Sequence, residues 1–255
     1  MAAELNAKAA HGHARKRRAA RDSRGHPPVS VNEELAVGFL LTEGLLRHPE
    51  DILEIDPYPR NRENNVLNVF LSQDVKVNFA RLTRHVFASS SCGLCGKATI
   101  EAVHQHFKPV HSKRTIESGT VLQLPGRMRR QQEAFERSGG LHAAAVFDSK
   151  GTLVVLREDV GRHNAADKVI GYGFLQSQLP FDAHILMVSG RASFEIMQKA
   201  LAARIPVVCA VSAPSSLAVD FARASGQTLV GFLRGESFNV YSHPERITQE
   251  KAKAS

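Results

Sequence analysis

The chain has 255 residues, 43% hydrophobic and 23% charged, with a formal net charge of +8. That apolar content is enough for one large domain or two small ones. Three cysteines are too few for a secreted disulfide scaffold, and no apolar run approaches the ~20 residues that cross a bilayer. What is expected is a basic, globular protein of the cytoplasm, not a membrane protein and not a disordered chain.

Residues 1–26 hold Lys8, Arg15, Lys16, Arg17, Arg18, Arg21 and Arg24 against Glu4 and Asp22, so +5 of the total +8 sits there. The segment is rich in Ala, Arg and Gly and shows no hydrophobic periodicity, so a disordered basic tail is expected over 1–28. No apolar stretch follows the basic run at 15–18, which argues against a signal peptide. A nucleic-acid arm is the sharper alternative, but charge runs in disordered segments are usually plain solvated chain. Nucleic acid is therefore not an expected partner.

Asn32 reads as the N-cap of a helix over 35–46 that closes before Pro49. Residues 52–55 and 66–71 read as strands, the second from the alternation of Leu67, Val69 and Leu71. Pro57, Pro59 and the Asn-rich stretch 61–65 turn the chain between them. A helix is expected over 79–87. Then come Ser89-Ser90-Ser91-Cys92-Gly93-Leu94-Cys95-Gly96 and a helix over 97–107. Residues 108–124 read as a passage between two halves. Pro125-Gly126 opens a polar helix over 127–137, and Ser138-Gly139-Gly140 stops it. Strands are expected over 141–147 and 152–156, joined by the turn Asp148-Ser149-Lys150-Gly151. Helix 165–170 follows the polar stretch 158–164.

Beyond this point strand, loop and helix alternate. Strands are expected at 185–188, 206–211 and 228–233, with helices at 192–203 and 217–224. Continuous apolar strands between helices indicate a parallel sheet covered on both faces. Right-handed crossovers then gather the loops 189–193, 212–216 and 234–237 at one sheet edge, where such folds bind ligands.

Cys92-Gly93-Leu94-Cys95 is the leading chemical feature. A helix start just after it, with Lys97 nearby, stabilises a thiolate. Four readings stay open: a redox dithiol, part of a zinc site, a persulfide-carrying cysteine, and an unreactive pair. A thioredoxin-type pair follows the first strand of a βαβ unit, which this one does not. A zinc site needs four ligands, and there is no second C-x-x-C, although His85, His104, His106 and His111 are near in sequence. Cys209, inside an apolar run, reads as core.

Leu141-His142-Ala143-Ala144 lacks the Glu of the zinc deaminases, and the cysteine pair precedes it instead of following it. Glu158-Asp159-Val160-Gly161-Arg162-His163-Asn164 reads either as a ligand-facing cluster or as capping by Asn164 with ion pairs among Glu158, Asp159 and Arg162. Ser189-Gly190-Arg191-Ala192-Ser193 has the composition of a phosphate-binding turn, and equally that of an ordinary strand-to-helix loop.

Together, the stretches ELAVGFLLTEG (34–44), CGLCG (92–96), HAAA (142–145), EDVGRHN (158–164) with Asp167-Lys168, SGRASFE (189–195), AVSAPSSLAV (210–219) and TLVGFL (228–233) occur in the order seen in the FdhD family of formate dehydrogenase accessory proteins, which this sequence resembles. The resemblance covers roughly 30–247. It implies an α/β fold: a cytidine-deaminase-like α/β sandwich over 116–255, preceded by a smaller α+β domain over 29–115. It implies a sulfurtransferase that takes sulfur from a cysteine desulfurase as a persulfide. The sulfur then passes to the molybdenum cofactor, bis-molybdopterin guanine dinucleotide, before insertion into formate dehydrogenase.

The persulfide carrier falls on Cys92 and its companion on Cys95. The cofactor-binding stretch falls on Phe232, Leu233, Arg234, Gly235, Glu236 and Ser237. A homodimer is implied, and no catalytic metal. Two departures stand out. The family carries a pair of strands before the first helix, where this chain has its basic segment. Its cofactor stretch ends on a basic residue, where this chain has Glu236-Ser237.

Overall fold

The computed structural model describes residues 4–9, 30–58, 66–77 and 96–249. A first strand, β1 (Glu4–Ala9), pairs parallel to β3 (Val66–Leu71), and β2 (Ile52–Pro57) pairs antiparallel on the other side of β3. β1 corrects the expected tail over these six residues. The alternation Leu5, Ala7, Ala9 is short, and its partner strand lies sixty residues away in the sequence, so composition hides it.

Helix α1 spans Val31–Thr42 and is capped by Ser30, not Asn32. Ser30 Oγ accepts the Glu33 N–H at 3.2 Å, and the Glu33 carboxylate accepts the Ser30 N–H at 3.1 Å. This reciprocal box needs an acid three residues after the cap, which Ser30 has. Gly44, at φ +77°, ends the segment earlier than expected. Helix α2 (Gly96–His104) follows, and β4 is the two-residue strand Ile116–Glu117.

Helix α3 (Ser118–Arg129) contains Pro125 in its interior, where the sequence suggests a helix start. The buried stripe Val121, Leu124 and Met128 decides the matter: helical spacing presses these side chains onto the sheet and outweighs the hydrogen bond that Pro125 cannot donate. Helix α4 (Glu133–Ser138) ends on Gly139 at φ +67°.

β5 (His142–Phe147) and β6 (Leu153–Asp159) form a hairpin, followed by α5 (Arg162–Leu175), β7 (Ile185–Val188), α6 (Phe194–Ala202), β8 (Val207–Ala210), α7 (Ser216–Ala224), β9 (Thr228–Arg234), β10 (Ser237–Ser242) and the short β11 (Ile247–Thr248). The main sheet runs β10-β9-β8-β7-β5-β6. It is parallel only across β7, β8 and β9; β5, β6 and β10 are antiparallel to their neighbours. The expected parallel sheet is thus a mixed one. β10 takes up Ser237 from the expected loop 234–237 and continues through residues 238–242, for which no element is expected.

Alternate strand residues feed two cores. Leu186, Val188 and Val208 face α1, α5, α6 and α7, while Ile185, Met187, Val207 and Cys209 face α3. The first core also takes Leu40, Val69 and Leu71, so residues 30–77 and 142–229 share one apolar interior. α1 and α5 cross in backbone contact. A Cβ on Gly38 would lie 1.9 Å from the Asp167 carbonyl oxygen, and one on Gly171 would lie 1.9 Å from that of Glu34. The crossing is framed by polar pairs. Arg157 donates to both Glu34 carboxylate oxygens, at 2.5 and 2.6 Å, and lies over the Tyr172 ring. Among the described residues, no helix is long and apolar enough to cross a membrane.

Candidate functional site at the strand ends

The topology brings the C-terminal ends of β6, β7, β8 and β9 and the start of β5 to one sheet edge. Backbone hydrogen bonds lace its loops together. Ser212 N–H donates to the Gly190 carbonyl (3.4 Å), Phe232 N–H to Ser212 (3.2 Å), and Ser215 N–H to Ala192 (3.0 Å). Ser189 is fixed by β5: its hydroxyl accepts the Ala143 N–H at 2.8 Å. The three loops expected at this edge do meet there.

Glu158 and Asp159 end β6, and both are spent on structure. The Glu158 carboxylate accepts the Ala134 and Phe135 N–H groups (2.9 and 2.8 Å), which caps α4. Asp159 Oδ1 accepts from Gly161 N–H (2.8 Å) and Asn164 Nδ2 (3.0 Å), and its Oδ2 pairs with Lys168 Nζ at 2.5 Å. Burial pushes the Asp159 carboxyl up, but the hydrogen bonds from Lys168 and Gly161 and the Lys168 charge outweigh it and hold the group below its usual range. The N-cap of α5 is Gly161, not Asn164, and the ion pair uses Lys168, not Arg162.

Arg162 is thereby left over. Its Nε is buried and has no hydrogen-bond partner among the described residues. Its side chain lies against the end of β7, where a Cβ on Gly190 would be 3.7 Å from Arg162 Cδ and 3.3 Å from His142 Nδ1. His142 stands opposite Asp159 in the β5–β6 register. Ala144, two residues on, is fully buried, so no acid–base group stands at that deaminase position.

His163 Nε2 lies 3.2 Å from Ser193 Oγ and 3.8 Å from Glu195 Oε2. Burial and the Arg162 charge push its pKa down to about 4, so the ring is neutral near pH 7. Burial pushes Glu195 up, but the Ser193 hydroxyl, its own backbone N–H, His163 and Arg162 bring it below its usual range. The His163–Ser193–Glu195 chain went unnoticed in the sequence. Its only signal was a His after β6 and a Ser-x-Glu after β7, which the topology alone brings together.

The residues Phe232, Leu233, Arg234, Gly235, Glu236 and Ser237 form the β9–β10 hairpin. Arg234 pairs with Ser237, and Gly235 takes φ +59° as the first of two turn residues, a position that favours glycine. Between Ser237 and Asn239 the register shifts, because β9 carries an extra residue. Phe232 lies in that bulge at φ +51°, an unfavourable backbone for a bulky side chain. The Arg234 guanidinium sits 5.8 Å from the Phe232 ring centre. Arg234, Gly235, Glu236 and Ser237 are exposed, whereas Leu233 is fully buried in the α3-facing core. Strain beside a bulge at a sheet edge is a recurrent mark of functional sites.

Cys92 and Cys95 lie outside the described residues, as does the helix expected over 79–87. α2 begins at Gly96, directly after Cys95, and its far end is anchored by His104 Nε2 against Ser225 Oγ (2.9 Å). Cys209 is a core residue, as its apolar neighbours suggest, and burial pushes its thiol up to about 12. No group of three or more His, Cys, Asp or Glu side chains is arranged to hold a metal ion among the described residues.

Comparison with known proteins adds a family and an architecture. The family model described as "FdhD/NarQ family" matches residues 29–248. A relative from Mycobacterium tuberculosis named "Sulfur carrier protein FdhD" is 51% identical over 225 residues, covering 84% of this chain and 82% of its own. Relatives of the same name from Streptomyces coelicolor and Saccharolobus solfataricus are 46% and 40% identical, covering 86% and 85% of this chain and 80% and 79% of theirs. The crystal structure of a Desulfotalea psychrophila protein, described as a formate dehydrogenase accessory protein, superposes with a TM-score of 0.67 at 25% identity, covering 86% of this chain and 81% of that one.

Proposed function

The chain belongs to the FdhD/NarQ family, and on that premise we propose that it is a sulfur carrier serving a formate dehydrogenase in the cytoplasm. The observation that carries the reading is the 51% identity to a named sulfur carrier over 84% of this chain. The Cys92-Gly93-Leu94-Cys95 pair supplies the chemistry such a carrier needs, since a thiolate is the form that attacks sulfur.

In this reading Cys92 is the carrier. Its thiolate attacks the outer sulfur of a persulfide on a cysteine desulfurase. One S–S bond forms and one breaks, the desulfurase cysteine leaves as a thiolate, and Cys92–S–SH results. Cys95 then attacks Cys92 Sγ. A Cys92–Cys95 disulfide forms and the terminal sulfur leaves as sulfide, delivered to the metal of its substrate, bis-molybdopterin guanine dinucleotide. The sulfur is reduced and the two cysteines are oxidised, so a cellular thiol must reduce the disulfide before the next cycle.

Cys209 takes no part, because a buried thiol with its pKa raised to about 12 is neither reachable nor ionised. The strand-end edge is the docking place for the anionic cofactor in this scheme. Arg234 and Phe232 offer a guanidinium and an aromatic face to its nucleotide end, and Glu236 works against it at the hairpin tip. A homodimer is part of the proposal through the family resemblance alone.

Incubation with a cysteine desulfurase and cysteine, followed by intact mass measurement, tests the carrier role. Wild type should gain about 32 Da, the mass of one sulfur atom, and Cys92→Ala should not. No gain in wild type, or the same gain in Cys92→Ala, sinks the proposal.

A further inference from the structure

Helix α2 follows the cysteine pair in the chain and is gripped at its other end. It has nine residues, begins on Gly96 and includes the weak helix formers Thr99, Ile100 and Val103. Isolated helices shorter than ~12–15 residues are marginal in water, so contacts with the rest of the fold decide whether α2 forms. Between Ile100 and His104 these contacts are few. Glu101 and Ala102 are exposed, and Ile100, Val103 and His104 are half-buried, the two aliphatics packed on the first core.

His104 adds the polar hold. Its Nε2 lies 2.9 Å from Ser225 Oγ at the C-cap of α7, and its ring packs on Phe221 with centres 5.6 Å apart. Ser225 and Phe221 are fully buried. Burial holds the His104 pKa below its ordinary value, so near pH 7 the ring is neutral, with one donor and one acceptor nitrogen. The place it grips is firm. Val110 N–H donates to the Ser225 carbonyl at 2.9 Å, and Arg246 Nε donates to the Ser112 carbonyl at 2.9 Å. A Cβ on Gly226 would lie 2.3 Å from the Val110 carbonyl oxygen, so the two backbones touch. The chain leaving α2 is thus bolted to the end of α7, and His104 extends that hold into the helix.

We infer that His104 is a positioning residue for the cysteine pair: its bond to Ser225 keeps α2 wound up to Gly96, the residue that follows Cys95 in the chain. The unpaired N–H groups and aligned peptide dipoles of a helix start favour a thiolate. Without the latch a helix this short frays, and the thiol beside its first residue loses that support. The step from His104 to thiol ionisation stands on the helix alone; the step from ionisation to sulfur transfer rests on the preceding reading of Cys92 as carrier.

Alkylation of the full chain by iodoacetamide over a pH series, resolved by peptide mapping, tests it. In wild type the midpoint of the Cys95 profile should lie below the ordinary thiol value of about 8.5. In Ser225→Ala and in His104→Phe it should rise by about half a pH unit, the worth of a helix end to a neighbouring charge. The two changes together should shift it no further than either alone, because they remove the same contact. His104→Gln, whose amide can stand in for Nε2, should keep the wild-type midpoint. A wild-type midpoint at or above the ordinary value, an unmoved midpoint in Ser225→Ala, or a midpoint in His104→Gln as high as in His104→Phe overturns the assignment. Ser225→Ala removes a single hydroxyl from a packed site and decides the matter even if His104→Phe fails to fold. If Cys92 of wild type takes up no sulfur from a desulfurase, the carrier reading falls, while the Cys95 midpoint still decides on His104.

Discussion

Helix α5 carries two polar clusters that are built in opposite ways. At its centre Asp167 is buried and saturated. Lys199 Nζ donates to both of its carboxylate oxygens at 2.8 Å and to Thr42 Oγ1 at 3.0 Å, and Thr42 Oγ1 donates to Asp167 at 2.9 Å. Burial pushes the Asp167 carboxyl up, against the Lys199 charge and hydrogen bond. Every proton of that ammonium has an acceptor, so the cluster locks α1, α5 and α6 together. At the N-terminal end Arg162 and His163 are held in place but incompletely matched. A closed network specifies a packing. An open one, at the more exposed N-terminal end of the same helix, leaves hydrogen-bonding capacity unused.

The largest effect that would separate the two belongs to the closed cluster. Lys199→Met should destabilise the protein by about 4 kcal/mol in chemical denaturation, because it strands a buried carboxylate. A loss comparable to that of an exposed lysine would mean that Asp167 is not dependent on its partner. Next is the crossing that brings α1 onto α5. Gly38→Ala should cost about 3 kcal/mol, since its methyl would meet the Asp167 carbonyl and neither backbone can yield cheaply. An unchanged melting temperature would show that the helices separate without penalty.

The smallest effect comes from the open end. The folded pKa of His163, about 4, lies below the ordinary 6.5, so the unfolded chain takes up the proton first as pH falls from about 6.5 to about 4. Stability should decline through that window and be unaffected above it. His163→Gln should make the decline shallower without abolishing it, because burial also lowers His104 and His184. The His163 side chain is 37% exposed, so solvent screening keeps the difference small. Identical slopes for variant and wild type would show that His163 titrates normally.

What was legible in the sequence follows from how local each signal is. Residues 66–71 and 185–188 were read with the bounds of the strands Val66–Leu71 and Ile185–Val188, one from its alternation and one from an unbroken apolar run. The start of α1 was misplaced by two residues because Asn32 is a good cap in isolation, whereas Ser30 has Glu33 at the right distance. Pro125 suggests a helix start because its ring suits the first turn. The stripe Val121, Leu124 and Met128 runs across it, and only the sheet beneath makes that stripe matter. The strand-end edge itself was foreseeable from the strand–helix alternation, and with it the meeting of loops 189–193, 212–216 and 234–237.

The contents of that edge were less legible. No local pattern says that Asp159 will choose Lys168 over Arg162, because the choice depends on which residues of α5 turn back over β6. The bulge that strains Phe232 depends on a β10 that was not anticipated. The alternating Phe238 and Val240 could have revealed that strand, had the residues before it not already been read as an exit loop.

Cys209 has a practical consequence. While the chain is folded, its thiol is sealed in β8 and unionised, so alkylation cannot exceed two groups per molecule. A third label can attach only after β8 has opened. Each molecule therefore records its own unfolding in the same mass spectrum that tests Cys92 as the proposed carrier, so the absence of a sulfur adduct can be told apart from a lost fold in a single measurement.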